Sequence, residues 1–300
     1  MRITLKQLMV FEAVARSGQV AKAALLINLS APATSMALSE LEKQLNTRLF
    51  ERIGNRLHLN AQGRLLLPLV TQSLQGINDI EQLFTQQQNP LSGALNISAS
   101  STIGNYLLAK SAVAFCQQHT EAYVDVNIDN TRNVIESVLN FKSEVGFIEG
   151  ACVDSRLQVE AWYKDRLLVF CHPAHPLAGK HVNAGEIMPF PWVMREEGSG
   201  TREYFVNAAH QLDIQPIEKF RFSSSDAVKQ AVKQGGGLGV LSELTLEKEL
   251  ARKDFGVIHV NGLVLERQFY RIKHKDCHFT VLANAFMRFC DDFLRLGAYS

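Results

Sequence analysis

Apolar residues return every three or four positions from Leu5 to Leu45, alternate briefly between residues 48 and 60, and resume helical spacing from 61 to 88. Beyond residue 93, strand-like runs and helical stripes take turns. The first region predicts three short helices. Leu5, Leu8, Phe11 and Ala15 share one helical face, and "SGQ" at 17–19 stops that helix. A second runs from Val20 to Ile27, with Ala23 and Ala24 small enough for another helix to approach closely. Asn28 and Leu29 make a tight turn; Ser30 caps the third helix, and Pro32 falls in its first turn, where a missing N–H is harmless. "RLFERIGNRLHLN" (48–60) then reads as a strand, a turn at Gly54 and Asn55, and a return strand from Leu57 to Leu59.

Asn60 is placed to cap a long helix whose apolar positions Leu66, Val70, Leu74, Ile77, Ile80, Leu83 and Phe84 form one stripe, and Pro68 inside it predicts a kink. "QQQNPLSG" (86–93) reads as a hinge, proline and glycine bracketing a polar run. After it come strand "ALNISAS", helix "TIGNYLLAKSAVAFCQQH", strand "AYVDVNI", helix "TRNVIESVLNFKS" and strand "EVGFIEG". This βαβαβ rhythm predicts a parallel sheet with ligand groups at the carboxyl ends of its strands.

The third helix points Thr34, Leu38, Leu41 and Leu45 inward and shows Pro32, Ala33, Ser35, Met36 and Ser39 outward. A helix with only small side chains on its outer first turns fits deep in a groove, as the second helix of a helix-turn-helix does in the DNA major groove. An amphipathic core helix with a small outer face would show the same pattern, so the hairpin carries the distinction. It brings Arg52 and Arg56 beside its tip, which suits backbone phosphates or a narrow minor groove.

Charge sharpens this picture. Residues 1–66 hold nine Lys/Arg against four Asp/Glu, a net +5; residues 67–300 hold 22 against 26, a net −4. A basic head on a mildly acidic body points to a polyanionic partner. The 300 residues suit two or three packed units, and 46% hydrophobic with 20% charged residues describes an ordinary globular chain. No apolar run reaches the length of a membrane span, and Lys6, Gln7, Glu12 and Arg16 interrupt the N-terminal apolar positions, so no secretory signal is expected and a cytoplasmic location follows. The five cysteines form no CxxC pair, which predicts reduced, mostly buried thiols.

"FEAVARSGQVAKAA", "LSAPATSMALSELEKQLNTRLFER" and "LNAQGRLLLP", with "HPLA" and "GLGVLS" far downstream, closely resemble the LysR-type transcriptional regulators over essentially the whole chain. The resemblance implies a winged helix-turn-helix domain at 1–60, a linker and dimerisation helix at 61–88, a hinge at 89–92 and a two-lobed α/β periplasmic-binding-protein-like effector domain at 93–300. Lobe I would take about 93–162 and 268–300, and lobe II about 163–267. It also implies a dimer through the linker helix, a tetramer of two dimers, promoter duplex DNA as partner and RNA polymerase as a further candidate partner. The DNA-contacting residues would be Ser30, Ala31, Pro32, Thr34, Ser35 and Met36 of the recognition helix, with Lys22, Arg52, Arg56 and Arg64 on phosphates. Ala31 and Met36 stand where the family usually places hydrogen-bonding side chains, so methyl contacts and DNA shape should carry more of the readout.

Three stretches fall at strand ends facing the expected cleft. Ser100, Ser101 and Thr102 put hydroxyls and N–H groups at a helix start; Gly198, Ser199, Gly200, Thr201 and Arg202 do so at another; Ser225, or Ser224, caps a third. Converging helix N-termini describe a small-anion site. Thr131, opening the helix after the second strand, joins this set, and Glu149, ending the third strand, complicates it, since a carboxylate repels an anion unless it pairs with Arg202, meets a protonated ligand or grips a ligand's amine. "ASSTIGNYLL" and "REEGSGTRE" resemble the YeiE-type branch of the family, associated with sulfite sensing, and more distantly the branch controlling carbon-fixation operons. A small oxyanion such as sulfite is therefore the favoured effector, with an organic acid or amino-acid-like molecule as the alternative.

Other signals carry less. "CHPAHP" reads as a surface turn rather than a metal site, and "GGGLG" as a helix end leading into a buried strand rather than a dinucleotide fingerprint. No nucleophile, base and orienting group can be assembled from local motifs, so no enzyme, resident metal or cofactor is expected. A stand-alone solute-binding protein would explain the second half but leave the basic winged head without a role.

Overall fold

Helix α1 (Leu5–Ser17) starts at a capping box: the Thr4 hydroxyl accepts from the Gln7 N–H at 3.3 Å and Gln7 Oε1 accepts from the Thr4 N–H at 2.8 Å. These coordinates are a computed structural model, which describes residues 3–54, 56–85, 91–277 and 279–297, with backbone alone at 75, 78, 79, 81–85, 296 and 297. Gly18 ends α1 in a left-handed conformation. α2 (Val20–Leu26) stops one residue before the expected Ile27, because Asn28 turns the chain at φ +53°. α3 (Ala31–Leu45) is capped by Ser30, whose Oγ accepts from the Ala33 N–H at 3.3 Å. The three helices share a core of Val10, Phe11, Val14, Ala23, Leu38 and Leu41.

β1 (Phe50–Ile53) and β2 (Arg56–Leu59) pair antiparallel from Phe50↔Leu59 to Ile53↔Arg56. The return strand thus begins at Arg56 rather than Leu57, and Asn55 of the expected turn lies outside the described residues. α4 (Ala61–Thr85) is capped by Asn60, whose Oδ1 accepts from the Gly63 N–H at 2.9 Å. A Cβ at Gly63 would sit 2.2 Å from the Leu49 carbonyl oxygen, so only glycine lets the helix start lie against the base of the hairpin. Of the apolar stripe expected on α4, Leu66, Val70 and Leu74 pack with Leu67 on the head's own core, whereas Ile80 is exposed at 59%, as are Leu65 and Leu69 beside the stripe, at 68% and 61%. Leu83 and Phe84 have no described side-chain surroundings, Pro68 lies within the helix, and the expected hinge at 89–92 is described only at Leu91 and Ser92.

The rest of the chain builds one continuous sheet. β3 (Gly93–Ser100) leads into α5 (Ser101–Ile103), a π-helical turn (Gly104–Leu108) and α6 (Ala109–Gln118); β4 (Ala122–Asp129), α7 (Thr131–Leu139), β5 (Val145–Glu149) and β6 (Leu157–Cys171) follow. Then come β7 (His181–Val182), α8 (Ala184–Ile187), β8 (Pro191–Arg195), α9 (Gly200–His210), β9 (Ile217–Phe222), α10 (Ser225–Lys233) and β10 (Leu238–Ser242). The chain closes with α11 (Glu243–Ala251), β11 (Gly256–Val260), β12 (Glu266–His274) and α12 (Val281–Gly297).

Strand order is β4-β3-β5-β12-β6-β10-β8-β9, with β11 pairing with β6 and β7. β3, β4 and β5 are parallel, as the βαβαβ rhythm requires, and β8, β9 and β10 form a second parallel group. The fifteen-residue β6 joins the groups: Leu157–Arg166 pair with β12, and Leu167–Phe170 pair with β10. Helices cover both faces of each half, over cores containing Leu95, Phe147 and Phe286 in lobe I and Trp192, Phe205 and Val240 in lobe II. The carboxyl ends of β3, β5 and β8 consequently meet between the lobes.

Candidate nucleic-acid interface and interlobe cleft

On the recognition helix, Ser30, Ala31, Pro32, Ser35 and Met36 are exposed, Met36 at 73%, and Lys22 is exposed on α2. Thr34 is corrected out of this face. It is fully buried and its hydroxyl donates to the Ser30 carbonyl at 3.0 Å, so it packs the helix rather than reaching a base. A concavity of about 650 Å³ runs between α3 and the wing, and Ser35, Ser39, Arg52 and Arg56 line it together. Arg64 is exposed at the base of the wing and its Nη1 donates to the Leu59 carbonyl at 2.6 Å, which spends one arm on the hairpin. Arg48 also lines the concavity, its side chain 86% exposed, although sequence reasoning did not select it. Lys22, Arg48, Arg52 and Arg56 put positive charge around a helix whose outer surface is small.

Between the lobes, the predicted strand-end residues do meet, but the molecule's own charged groups occupy much of what they offer. Glu149 is 3% exposed. Its Oε1 accepts from the Thr102 N–H at 2.9 Å, and its Oε2 accepts from Thr201 Oγ1 at 2.8 Å and Arg267 Nη1 at 2.9 Å. Burial alone would raise the carboxyl; the Arg267 charge and the Thr201 and Thr102 hydrogen bonds overcome it and hold Glu149 at about 2. Arg267 Nε also donates to Asp165 Oδ2 at 2.7 Å, and Asp165 Oδ1 accepts from the Ser242 hydroxyl at 2.6 Å. One guanidinium serves two buried carboxylates, and Asp165 is the one pushed up, by burial.

The Glu149–Arg202 pair, one of the alternatives for this carboxylate, does not form; Glu149 pairs with Arg267 instead. Arg202 turns away from the cleft to Glu218 and donates to the Arg195 carbonyl, because it lies one helical step beyond Thr201, on the outer side of α9. Its place is taken by Arg195, the last residue of β8, 2% exposed. Arg195 Nη1 donates to Ser225 Oγ at 3.0 Å, Nη2 to Ser101 Oγ at 3.4 Å, and Nε to Glu196 at 2.8 Å.

The segment Gly198–Thr201 is a seam between lobes more than an open cradle. A Cβ at Gly200 would fall 1.9 Å from the Glu149 carbonyl oxygen and 2.7 Å from Thr131 Oγ1. The Gly198 carbonyl accepts from the Arg132 N–H at 3.2 Å, and Ser199 is 2% exposed. Thr131 Oγ1 donates to the Glu149 carbonyl at 3.5 Å. Among the described residues two buried donors of this network are left over, Arg267 Nη2 and the Ser100 hydroxyl, the latter 2% exposed at the end of β3. A buried orphan hydroxyl costs free energy and calls for a partner.

Arg267, Asp165 and Ser242 carried no sequence signal because they sit on the crossover strands and on β10, far apart in the chain. Arg195 was legible, as the residue at a strand's carboxyl end. Across the cleft, Tyr106 of the π-helical turn also meets Lys229, where burial works against the charge but hydrogen bonds to Glu249 and Asp226 outweigh it and keep the ammonium protonated. The "CHPAHP" rings cap backbone: His172 and His175 Nδ1 accept from the Ala174 and Leu177 N–H groups. Among the described residues no helix is long and apolar enough to cross a membrane.

A winged helix-turn-helix with a basic rim, joined by a long helix to a two-lobed sheet domain with a polar cleft, defines an effector-binding DNA-binding regulator. Residues 5–64 match the bacterial regulatory helix-turn-helix protein, lysR family, and residues 88–295 match the LysR substrate binding domain. The chain belongs to the LysR family of transcriptional regulators. It is 37% identical over 295 residues to the uncharacterized HTH-type transcriptional regulator YeiE of Escherichia coli K12, covering 97% of this chain and 98% of that one. It is 31% identical over 281 residues to the HTH-type transcriptional regulator CysL of Bacillus subtilis, covering 91% and 94%. A full-length OxyR variant from Pseudomonas aeruginosa superposes with a TM-score of 0.80 at 18% identity, covering 99% and 96%, and shows the same fold.

Proposed function

We propose that this regulator responds to a small oxyanion, with sulfite the favoured one, bound between the lobes on Ser100, Ser101, Arg195 and Ser225. The observation that carries the reading is the unpartnered Ser100 hydroxyl, buried on lobe I, on the same cleft as the buried Arg195 guanidinium of lobe II. A tetrahedral or pyramidal anion spans such donors, and Arg195, already bonded to Ser101 and Ser225, needs only to share the fork now held by Glu196. The Glu149 oxygens are already engaged by Arg267, Thr201 and the Thr102 N–H, which draws the carboxylate away from the anion. Closing the lobes on the anion would shift the placement of paired recognition helices on promoter DNA. The exposed Leu65, Leu69 and Ile80 of α4 support a dimer through that helix, and a cytoplasmic tetramer acting beside RNA polymerase completes the picture.

The test is a thermal-shift series on the full chain with sulfite, sulfate, phosphate, organic acids and amino acids. Sulfite should raise the transition temperature, and Ser100→Ala should abolish that rise without lowering the ligand-free transition, because the deleted hydroxyl bonds nothing. A sulfite shift preserved in Ser100→Ala, or a response confined to organic acids, refutes the oxyanion site.

A further inference from the structure

The chain turns from α7 into β5 through Phe141, which sits at φ +54°, a left-handed conformation that glycine or asparagine adopts easily and a bulky aromatic residue rarely does. Such strain persists only where the surroundings hold it. On the lobe I side they do: the Phe141 N–H donates to the Val138 carbonyl at 3.1 Å, the Lys142 N–H to the Ser137 carbonyl at 2.9 Å and the Glu144 N–H to the Asn96 carbonyl at 3.0 Å. The hydroxyls of Ser98, Ser137 and Ser143 close a triangle with sides of 2.7, 3.0 and 3.0 Å, which ties the corner to β3 and α7.

The ring itself faces the other domain. Phe141 packs against the core of the DNA-binding head, and among the described residues it is the one apolar side chain from beyond α4 to do so. The His274 ring of β12, 6% exposed, backs it at 4.4 Å. On either side, Asn140 and Lys142 wall a concavity of about 320 Å³ together with Arg16, Arg56 and Leu67 of the head. Charge is shared across the same junction: burial pushes the Glu144 carboxyl up, and Arg16 of the head is among the groups that oppose the rise.

The opposite end of α7 lies at the cleft. The Arg132 N–H donates to the Gly198 carbonyl across the lobes at 3.2 Å, and a Cβ at Gly198 would stand 3.1 Å from Arg132 Cβ, so lobe II rests on the first turn of this helix. The nine residues of α7 span roughly 13 Å. β5 follows the same course, from Val145 at the corner to Glu149 at the cleft. A shift of Gly198 on lobe closure therefore displaces α7 as a rigid piece, and Phe141 with it.

We propose that the α7–β5 corner is the surface on which lobe I docks the DNA-binding head of its own chain, with Phe141 as the anchor and α7 as the rod that carries lobe closure to it. The contact deepens the reading above by supplying its route from cleft to head, yet it holds whichever anion closes the lobes. Coupling along the rod is reciprocal, so a ligand on the head is felt at the cleft.

Amide hydrogen exchange of the full chain, read by mass spectrometry with and without a saturating random-sequence DNA duplex at low salt, tests this. Phe141→Asn keeps the left-handed backbone and deletes the ring; Phe141→Leu keeps an apolar side chain. The Asn variant should exchange at least about fivefold faster than the parent in head segments 10–17 and 66–74, and the Leu variant within about twofold of the parent. Duplex should change exchange at 131–134 and 198–201 by at least about twofold in the parent and in the Leu variant, and leave it unchanged in the Asn variant. A merely local role in the turn predicts the reverse order, with the Asn variant relaxed and the Leu variant strained. Both tryptophans, Trp162 and Trp192, lie in the effector domain, so their fluorescence transition checks that Phe141→Asn leaves that domain intact. The proposal is overturned by unchanged head exchange in Phe141→Asn, by a Leu variant that behaves like the Asn one, by a parent whose cleft ignores the duplex, or by a lowered tryptophan transition in Phe141→Asn, which would place the ring in lobe I's own packing. Sulfite takes no part in the measurement, so its outcome is independent of the anion site.

Discussion

Replacing Arg267 by Met removes the one cation between two buried carboxylates. In the native protein Glu149 is moved from an ordinary 4.5 to about 2, which corresponds to about 3 kcal/mol of stability at neutral pH. That contribution is complete above pH 4.5 and is lost as pH falls toward 2. In Arg267→Met the main force lowering Glu149 is gone and burial raises it above 4.5, so the folded state now binds its proton more tightly than the unfolded state. Asp165, already raised with Arg267 present, moves the same way. The variant should therefore lose about 3–5 kcal/mol at pH 7, the cost of leaving a buried charge unpaired, and recover part of it as pH is lowered toward 4.5. Its stability slope over that range has the opposite sign to the acid loss of the parent. Trp162 and Trp192 are the only tryptophans and both lie in the effector domain, so urea unfolding followed by tryptophan fluorescence reads this domain alone. A loss below about 1 kcal/mol at pH 7, or one that does not shrink on acidification, would refute the charge accounting.

Further outcomes follow from the head and the linker. Arg56→Ala should weaken binding to all duplexes alike and lower the slope of log affinity against log salt by about 1, measured by fluorescence anisotropy over a salt series; an unchanged slope would remove Arg56 from phosphate contact. Leu69→Asp, at a side chain 61% exposed on α4, should raise the subunit dissociation constant more than about tenfold, since a leucine buried at an interface is worth ~1.5–3 kcal/mol. Light scattering across a dilution series checks it, and an unaltered mass would place the interface elsewhere.

Local chemistry decided what could be read along the chain. Ser30 and Pro32 announce a helix start, and Leu38 and Leu41 its inner face, because capping and helical periodicity involve neighbours within a few residues. The alternation of strands and helices after residue 93, and the gathering of Ser100, Glu149, Thr201 and Ser225 at strand and helix ends, follow from the same short-range rules and the geometry of parallel sheets. Only tertiary structure decided which charges pair. Arg202 and Arg195 are seven residues apart in one motif, yet one faces Glu218 outside and the other fills the cleft, because a strand end points between the lobes while the first turn of α9 rotates Arg202 out. Arg267 reaches Glu149 across 118 positions of sequence, a pairing that no periodicity encodes. It exists because β5, β12 and β6 lie side by side in the sheet, and because an ion pair is selected by distance in space and by shared exclusion from water, neither of which is a property of spacing along the chain.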